Sequence, residues 1–371
     1  MPSPLLRALP GLVAALVLAL LAQPVAAGLG SLLLSARGLD PLGRASPVSA
    51  IPVAVLLGLL VANTVGTPTR LAPGVDLAVK KVLRLGIILV GLKLSLVDVL
   101  KIGALGVPMV VLLVVFAVVA ARLLARGMGV SARLGVLAAA STAICGITAT
   151  LAVAPGINAD DREVAYTVAN VTLFGLVAML SYPFLAHALF ADSPGAAGLF
   201  LGTAIHDTSQ VMGAAIAYSE VYGEPVAMQV ATVAKLTRNS LLVAVVPALT
   251  WMSAREGAKR QSLGQLFPTF VLGFLALAAV RTVGDLGLAQ GGRALGLFEV
   301  EGWKEVLRVL GDKGATLALA TALAGVGLST RLSVLRGLGP RPFFLGLAAA
   351  LVVGLASLVL SAWVGPLLEP R

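Results

Sequence analysis

The sequence predicts an all-α polytopic membrane protein, and three observations carry that expectation. Of the 371 residues, 58% are hydrophobic and only 12% are charged, against about 25% charged in a soluble domain. Apolar runs of bilayer length, ~20 residues each, recur along the whole chain between short loops bearing Arg and Lys. The 41 glycines and 20 prolines fit the same class, because both are commoner in membrane helices than in soluble ones. The net charge of +10 is spread over the loops, as expected where positive charge marks the cytoplasmic side and lipid headgroups. No clustered basic footprint occurs, so nucleic acid is not an expected partner. A single cysteine, Cys145, rules out an internal disulfide and a thiolate metal cluster.

In chain order, eleven apolar spans are expected, at about 11–34, 49–66, 79–98, 102–124, 133–155, 163–190, 196–219, 225–251, 266–284, 305–328 and 342–365. The first follows Arg7 and has small residues near Ala27, as a signal peptide does, but its apolar run continues through Leu34. That is longer than a typical signal h-region, so a retained helix is the expectation. With eleven spans, fourteen Lys and Arg residues fall on the N-terminal side and eleven on the other, which places the N-terminus inside. The chain reads as one integral membrane domain over residues 1–371, with an extra N-terminal helix at 1–48.

Two stretches resemble each other 234 residues apart: LRLGIILVGLKLSLVDVLKIGALGVP (83–108) and LALATALAGVGLSTRLSVLRGLGPRP (317–342). They lie an odd number of spans apart and should run in opposite directions. That is the arithmetic of an inverted-topology repeat, the architecture of many secondary transporters. Repeats at 49–190 and 191–371 are expected, with broken or crossing helices. A shorter echo links STAICGITAT (141–150) to GTAIHDTSQV (202–211), and KVLR (81–84) echoes KLTR (235–238). These registers do not all fit one duplication.

Ionisable residues at bilayer depth are costly, about 2.5–3.5 kcal/mol each on insertion scales, and so mark a candidate site. Lys235 and Arg238 lie near the middle of the 225–251 span, where Thr232, Lys235 and Asn239 form a polar stripe at helical spacing. Thr203, His206, Asp207 and Gln210 would share one helix face, with Gly202 and Gly213 permitting a break. Ser141, Thr142, Cys145, Gly146 and Thr148 lie in a span dense in small polar residues, where a break at Gly146 would free backbone groups for a ligand. If these groups meet, Lys235 and Arg238 outweigh Asp207, leaving +1 with neutral His206 and +2 with protonated His206. An anion would restore the balance, with Arg suited to an oxyanion and Lys a point charge.

The same motifs give the chain a family likeness. LRLGIILVGLKLS (83–95), STAICGITATLAVAP (141–155), ANVTLFGLVAMLSYP (169–183), GTAIHDTSQV (202–211), ATVAKLTR (231–238) and GVGLSTRLSVLRGLGPRP (325–342) resemble, in order, the YeiH-like membrane proteins, a family carrying the provisional label of sulfate exporters. The resemblance implies an inner-membrane secondary transporter related to the cation–proton antiporter and anion transporter fold. At position 207 the family pattern is often Glu, whereas this chain has Asp207.

The expected function is therefore secondary active transport of a small anion, sulfate or a related sulfur oxyanion, by alternating access. The expected substrate-binding set is Lys235, Arg238, His206, Asp207, Gln210, Cys145, Gly146, Thr148, Ser141 and Thr142, with His206 and Asp207 coupling transport to a proton or ion. The other expected partner is the lipid bilayer, together with a second copy of the chain in a homodimer. No metal and no cofactor is expected. A passive anion channel is the alternative. An intramembrane enzyme using Cys145 or His206 and Asp207 is disfavoured, since no nucleotide loop, HExxH or GxSxG motif occurs.

Overall fold

The computed structural model describes residues 4–41, 46–253, 263–333 and 339–368. Arg44, Arg255, Lys259, Arg260, Arg336 and Arg371 of the charge count, and Gly337 of the repeat, lie outside the described residues. In chain order the helices are α1 (Pro4–Ala36), α2 (Ala50–Thr64), α3 (Ala72–Leu77), α4 (Leu83–Val90), α5 (Leu96–Gly127), α6 (Ala132–Ala143), α7 (Gly146–Val153), α8 (Asp161–Phe190), α9 (Pro194–Ala204), α10 (Thr208–Tyr222), α11 (Pro225–Ser240), α12 (Leu242–Met252), α13 (Leu263–Leu266), α14 (Phe270–Ala289), α15 (Val300–Val306), α16 (Ala315–Ser329) and α17 (Pro340–Val364). A π-helical stretch at Ala78–Val82 joins α3 to α4, and another at Leu307–Gly314 joins α15 to α16. Among the described residues there is no β-strand, only an isolated bridge between Ala294 and Phe298.

The chain is an all-α polytopic membrane protein. Six helical stretches among the described residues are long and apolar enough to cross a bilayer, and the bent pair α11–α12 makes a seventh. Large apolar side chains face outward on these helices, as in Leu351, Leu355, Val359 and Trp363 of α17. Their spacing of four lays one greasy stripe along the helix. The other four expected spans behave differently. Segment 49–66 becomes the 15-residue α2, and 79–98 becomes α4 with its flanking π-helical and 3-10 turns, carrying Lys80, Lys81, Arg84 and Lys93. Segments 133–155 and 196–219 each fold back on themselves.

The chain divides into two compact units, the first comprising Met1–Lys101, Ile216–Pro225 and Thr269–Arg331. Its core is built from small residues, including Ala15, Ala22, Ala54, Ala78 and Ala324, which let helices approach closely. One such close approach is between α2 and α16. A Cβ on Gly58 would collide with the Ala324 carbonyl, and one on Gly327 with the Val55 carbonyl. At the other side of this unit Asp285 accepts from Arg281 Nε at 2.5 Å and from Trp303 Nε1 at 2.8 Å.

The second unit comprises Ile102–Ala215, Val226–Pro268 and Leu332–Arg371. The helix α8 starts from a capping box, with Asp160 accepting from Arg162 N at 2.8 Å and Glu163 accepting from Asp160 N at 3.1 Å. Arg133, at the start of α6, pairs with Glu163 at 3.1 Å and donates to the Asn158 carbonyl at 3.2 Å. The 12 residues of α6 carry the chain ~18 Å away from that point, and α7 brings it back. So α6 and α7 are the arms of a helical hairpin, with its feet at the N-terminal end of α8 and its tip at Ile144–Cys145–Gly146.

The pair α9–α10 is a second hairpin. Gly198 lies against Ala227, and Gly202 against Ala231, so α9 runs parallel to α11. By contrast, Asn239 donates to Thr208 at 3.0 Å and Thr232 to the Met212 sulfur at 3.8 Å, so α10 runs antiparallel to α11. This hairpin begins after a three-residue link from the C-terminal end of α8, opposite to the feet of the first. The helix α17 runs parallel to α8, since Tyr166 donates to Gly339 O at 3.3 Å and Asn170 to Pro342 O at 3.1 Å, while Gly354 lies against Tyr182.

Candidate functional site

The two hairpins enter the second unit from opposite ends of α8, and their tips touch. Gly146 N–H donates to His206 O at 3.4 Å. Cys145 Sγ lies 3.2 Å from Thr208 Oγ1 and 3.9 Å from Asp207 Oδ2. The helix breaks fall at Ile144–Cys145 in the first hairpin and at Ile205–Asp207 in the second. The break at Gly146 stands within a residue of its expected place. The expected common helix face of Thr203, His206, Asp207 and Gln210 is corrected, because the chain is not helical from Ile205 to Asp207. His206 and Asp207 belong to the turn itself, and Gly202 and Gly213 remain inside helices.

An α-helix ends with carbonyls that have no intrahelical donor. Here α6 and α9 both end at the centre of the unit, and α11 supplies the donors. Lys235 Nζ donates to Ile144 O at 3.1 Å, to Ile205 O at 3.2 Å and to His206 O. An ammonium has three N–H groups, so all three are used. Arg238 donates from Nε to Ala143 O at 2.6 Å, from Nη1 to Thr203 O at 2.7 Å, and from Nη2 to Thr142 O. Lys235 is fully buried and Arg238 is 1% exposed. Charge-assisted bonds of this kind contribute ~1.5–3 kcal/mol each, which offsets the cost of burying two cations. The stripe Thr232, Lys235, Asn239 falls on the face of α11 that meets the hairpins, since all three bond there or to the neighbouring turn.

The opposite helix ends differ from each other. At the N-terminus of α10, Asp207 Oδ1 accepts from Ser209 N at 2.9 Å and from the Ser209 hydroxyl. At the N-terminus of α7 the capping position is Cys145, which makes no side-chain capping bond. Its first turn passes from buried Gly146 through half-buried Ile147 to exposed Thr148. Each helix end carries about half a charge, positive at the N-terminus and negative at the C-terminus. The four ends at the tips therefore cancel. Lys235 and Arg238 against Asp207 leave about one positive charge, and the helix end without a carboxylate is that of α7.

Around this centre, Gln210 Nε2 donates to Thr172 O at 2.9 Å, and its Oε1 has no partner. Thr142 presents its carbonyl to Arg238. The Ser141 hydroxyl turns back to Ala138 O at 3.0 Å. Thr203 joins Ser357 of α17 at 2.6 Å. Ser357 lies outside every motif in the sequence, and only the packing of α17 on α9 shows it. Among the described residues no cluster of three or more metal-ligating side chains occurs.

Comparison with known proteins agrees with the membrane architecture. The model of the family described as Conserved hypothetical protein 698 matches residues 10–346. A UPF0324 membrane protein of Bacillus anthracis is 32% identical over 311 residues, covering 83% of this chain and 85% of the relative. A UPF0324 membrane protein of Rhizobium meliloti is 34% identical over 316 residues, covering 82% and 83%. The UPF0324 membrane protein TauZ of Paracoccus pantotrophus is 36% identical over 300 residues, covering 78% and 81%. No solved structure matches the chain. With nearly its whole length matched, the chain belongs to the Conserved hypothetical protein 698 family, the UPF0324 membrane proteins.

Proposed function

We propose that the protein is a secondary active transporter of a small oxyanion, sulfate or a sulfur oxyanion of similar size, in the cell's inner membrane. One observation carries the reading: two hairpin tips with two buried cations share a single carboxylate. The anion takes the N-terminal end of α7, beside Cys145, Gly146 and Thr148, where helix amides point outward. It mirrors there what Asp207 supplies to α10. Lys235 and Arg238 hold the tips together and keep the local potential positive. His206, in the turn between them, accepts a proton when the anion's charge offsets the two cations, which couples the two movements.

The order of elements supports two repeats at 49–190 and 191–371, with the second circularly permuted. The first reads α2, α3–α4, α5, hairpin, α8. The second reads hairpin, α11–α12, α14, α15–α16, α17. The 234-residue register then relates the α4–α5 region to the α16–α17 region, and a shorter register relates the hairpins. Both repeats carry a π-helical stretch, at Ala78–Val82 and Leu307–Gly314. The sequence TVANVT (167–172) of α8 also echoes TVAKLT (232–237) of α11. Paired registers that conflict in one simple duplication agree in a permuted one.

The test is counterflow in proteoliposomes. A carrier exchanges labelled sulfate or sulfite against the unlabelled anion inside, and trans-substrate accelerates uptake. A channel conducts without trans-stimulation. No exchange with any of a panel of small oxyanions overturns the reading.

A further inference from the structure

A cavity of about 30 Å³ with a mixed apolar and polar lining lies in the second unit on the α8 side of the hairpin tips. Its lining includes Ser141 and Thr142 of α6, Tyr166, Thr167 and Asn170 of α8, His206, and Pro342 and Gly346 of α17. Two deeply buried atoms in it have no partner, His206 Nδ1 and Asn170 Oδ1. Their residues are 3% and 5% exposed. Buried polar atoms are normally satisfied, so a pair of orphans on one cavity signals a ligand or ordered water.

The direction of the surrounding donors identifies that ligand's chemistry. Ser141 donates to Ala138 O at 3.0 Å, Tyr166 to Gly339 O at 3.3 Å, Thr167 to Glu163 O at 2.8 Å and Asn170 to Pro342 O at 3.1 Å. Four donors are thus spent on backbone carbonyls, and the cavity is left with their lone pairs, Asn170 Oδ1 and a ring nitrogen. With only the Thr142 hydroxyl left to turn either way, such a lining favours a hydrogen-bond donor. The volume holds about two waters.

We infer that this cavity is a hydrated proton port for His206, separate from the anion site, with Asn170 as its positioning residue. The inference rests on the coupling role proposed for His206. A proton arrives on water beside Asn170. The hydronium O–H bond breaks as the Nδ1–H bond forms, and a water is left behind. The groups acting on the ring are Lys235 and Arg238 from α11 and the Thr142 backbone of α6, with Asp207 the next residue of its own turn and Tyr166 across the cavity, while α17 presents Pro342, Leu345 and Gly346. Asn170 stands in TVANVT where Lys235 stands in TVAKLT, so a neutral acceptor faces one side of the tips and a cation the other.

Two variants block the port without touching the anion site. Asn170→Leu removes the acceptor. Gly346→Ala places a methyl group against Asn170 Oδ1. In proteoliposomes carrying a pH-sensitive dye, sulfate exchange across a pH step should move protons in the wild type. Each variant should lose at least tenfold of that proton movement, while counterflow at equal pH keeps its rate and KM. Asn170→Ser, which keeps an acceptor, should restore part of it. Proton movement unchanged in both variants overturns the port, and counterflow lost together with proton movement shows an anion-binding cavity and overturns it too. Absence of counterflow in the wild type instead defeats the transport reading, and the port is then read on the ring itself. In protein with ring-labelled histidine and His187→Gln, the His206 proton should exchange with water at least tenfold more slowly in Gly346→Ala. Equal exchange rates overturn it.

Discussion

A carboxylate placed at the end of α7 should occupy the proposed anion position permanently. Gly146→Asp does this, with Gly146→Ala as its steric control. In both variants the new Cβ meets Val171 Cγ1 at 2.8 Å and Cγ2 at 2.9 Å, where ordinary contact starts at 3.4 Å. Overpacking of that kind costs ~1–3 kcal/mol and should be equal in the pair, or relieved in both by Val171→Ala. The carboxylate in the first turn then returns ~0.3–1 kcal/mol against the helix dipole, so Gly146→Asp should melt above Gly146→Ala. An anion ~4 Å from the new carboxylate meets ~4 kcal/mol of repulsion at an effective dielectric of 20, about a thousandfold in Kd. Sulfate titration followed by thermal shift reads the affinity, and counterflow reads transport. Equal affinity in the Asp and Ala variants would refute the placement of the anion on α7.

Three further outcomes follow from the geometry. Lys235→Met removes the ammonium from the carbonyls of Ile144, Ile205 and His206; Gly146 N–H still reaches His206 O at 3.4 Å and Arg238 Nη1 still reaches Ile205 O at 3.5 Å, and Ile144 O loses its side-chain donor outright, at ~1–3 kcal/mol. Its melting temperature should fall well below that of Ser361→Ala, whose buried hydroxyl has no partner to lose. Asp207→Asn keeps an acceptor for Ser209 but removes the one carboxylate of the tips, so thermal-shift titrations should show affinity for divalent anions rising relative to monovalent ones. An unchanged ratio would contradict the charge balance. Gly58→Leu drives a side chain into the Ala324 carbonyl and should cost ~1–3 kcal/mol or more, read as lost thermal stability in detergent, whereas Gly28→Leu, with open space around it, should be neutral.

The class of the protein was legible because hydropathy is a property of each residue by itself. The buried cations were legible for the same reason, since Lys235 and Arg238 interrupt an apolar run. The hairpins were not. A run such as 133–155 reads alike whether it crosses a bilayer or turns back halfway. What separates the two outcomes is the long-range pairing of Arg133 with Asn158 and Glu163. Cations on α11 fit an anion site by composition, yet which groups they meet depends on where α6 and α9 stop. Those stops place six backbone carbonyls on the two side chains, and no pattern of residue types reveals that. Asn170 was visible only as a polar residue in a span, and its echo of Lys235 gained meaning once α8 and α11 proved to flank the same tips.

The clip that α11 places on both tips constrains how the site can change its exposure. If one hairpin peeled away, it would strand its carbonyls in an apolar interior, at ~1–3 kcal/mol apiece, with the Lys235 ammonium and the Arg238 guanidinium half unsatisfied. Carrying both tips along together leaves every one of those bonds intact. The pinned tips therefore behave as one rigid piece, so that a rearrangement within the second unit carries both hairpins and α11 together.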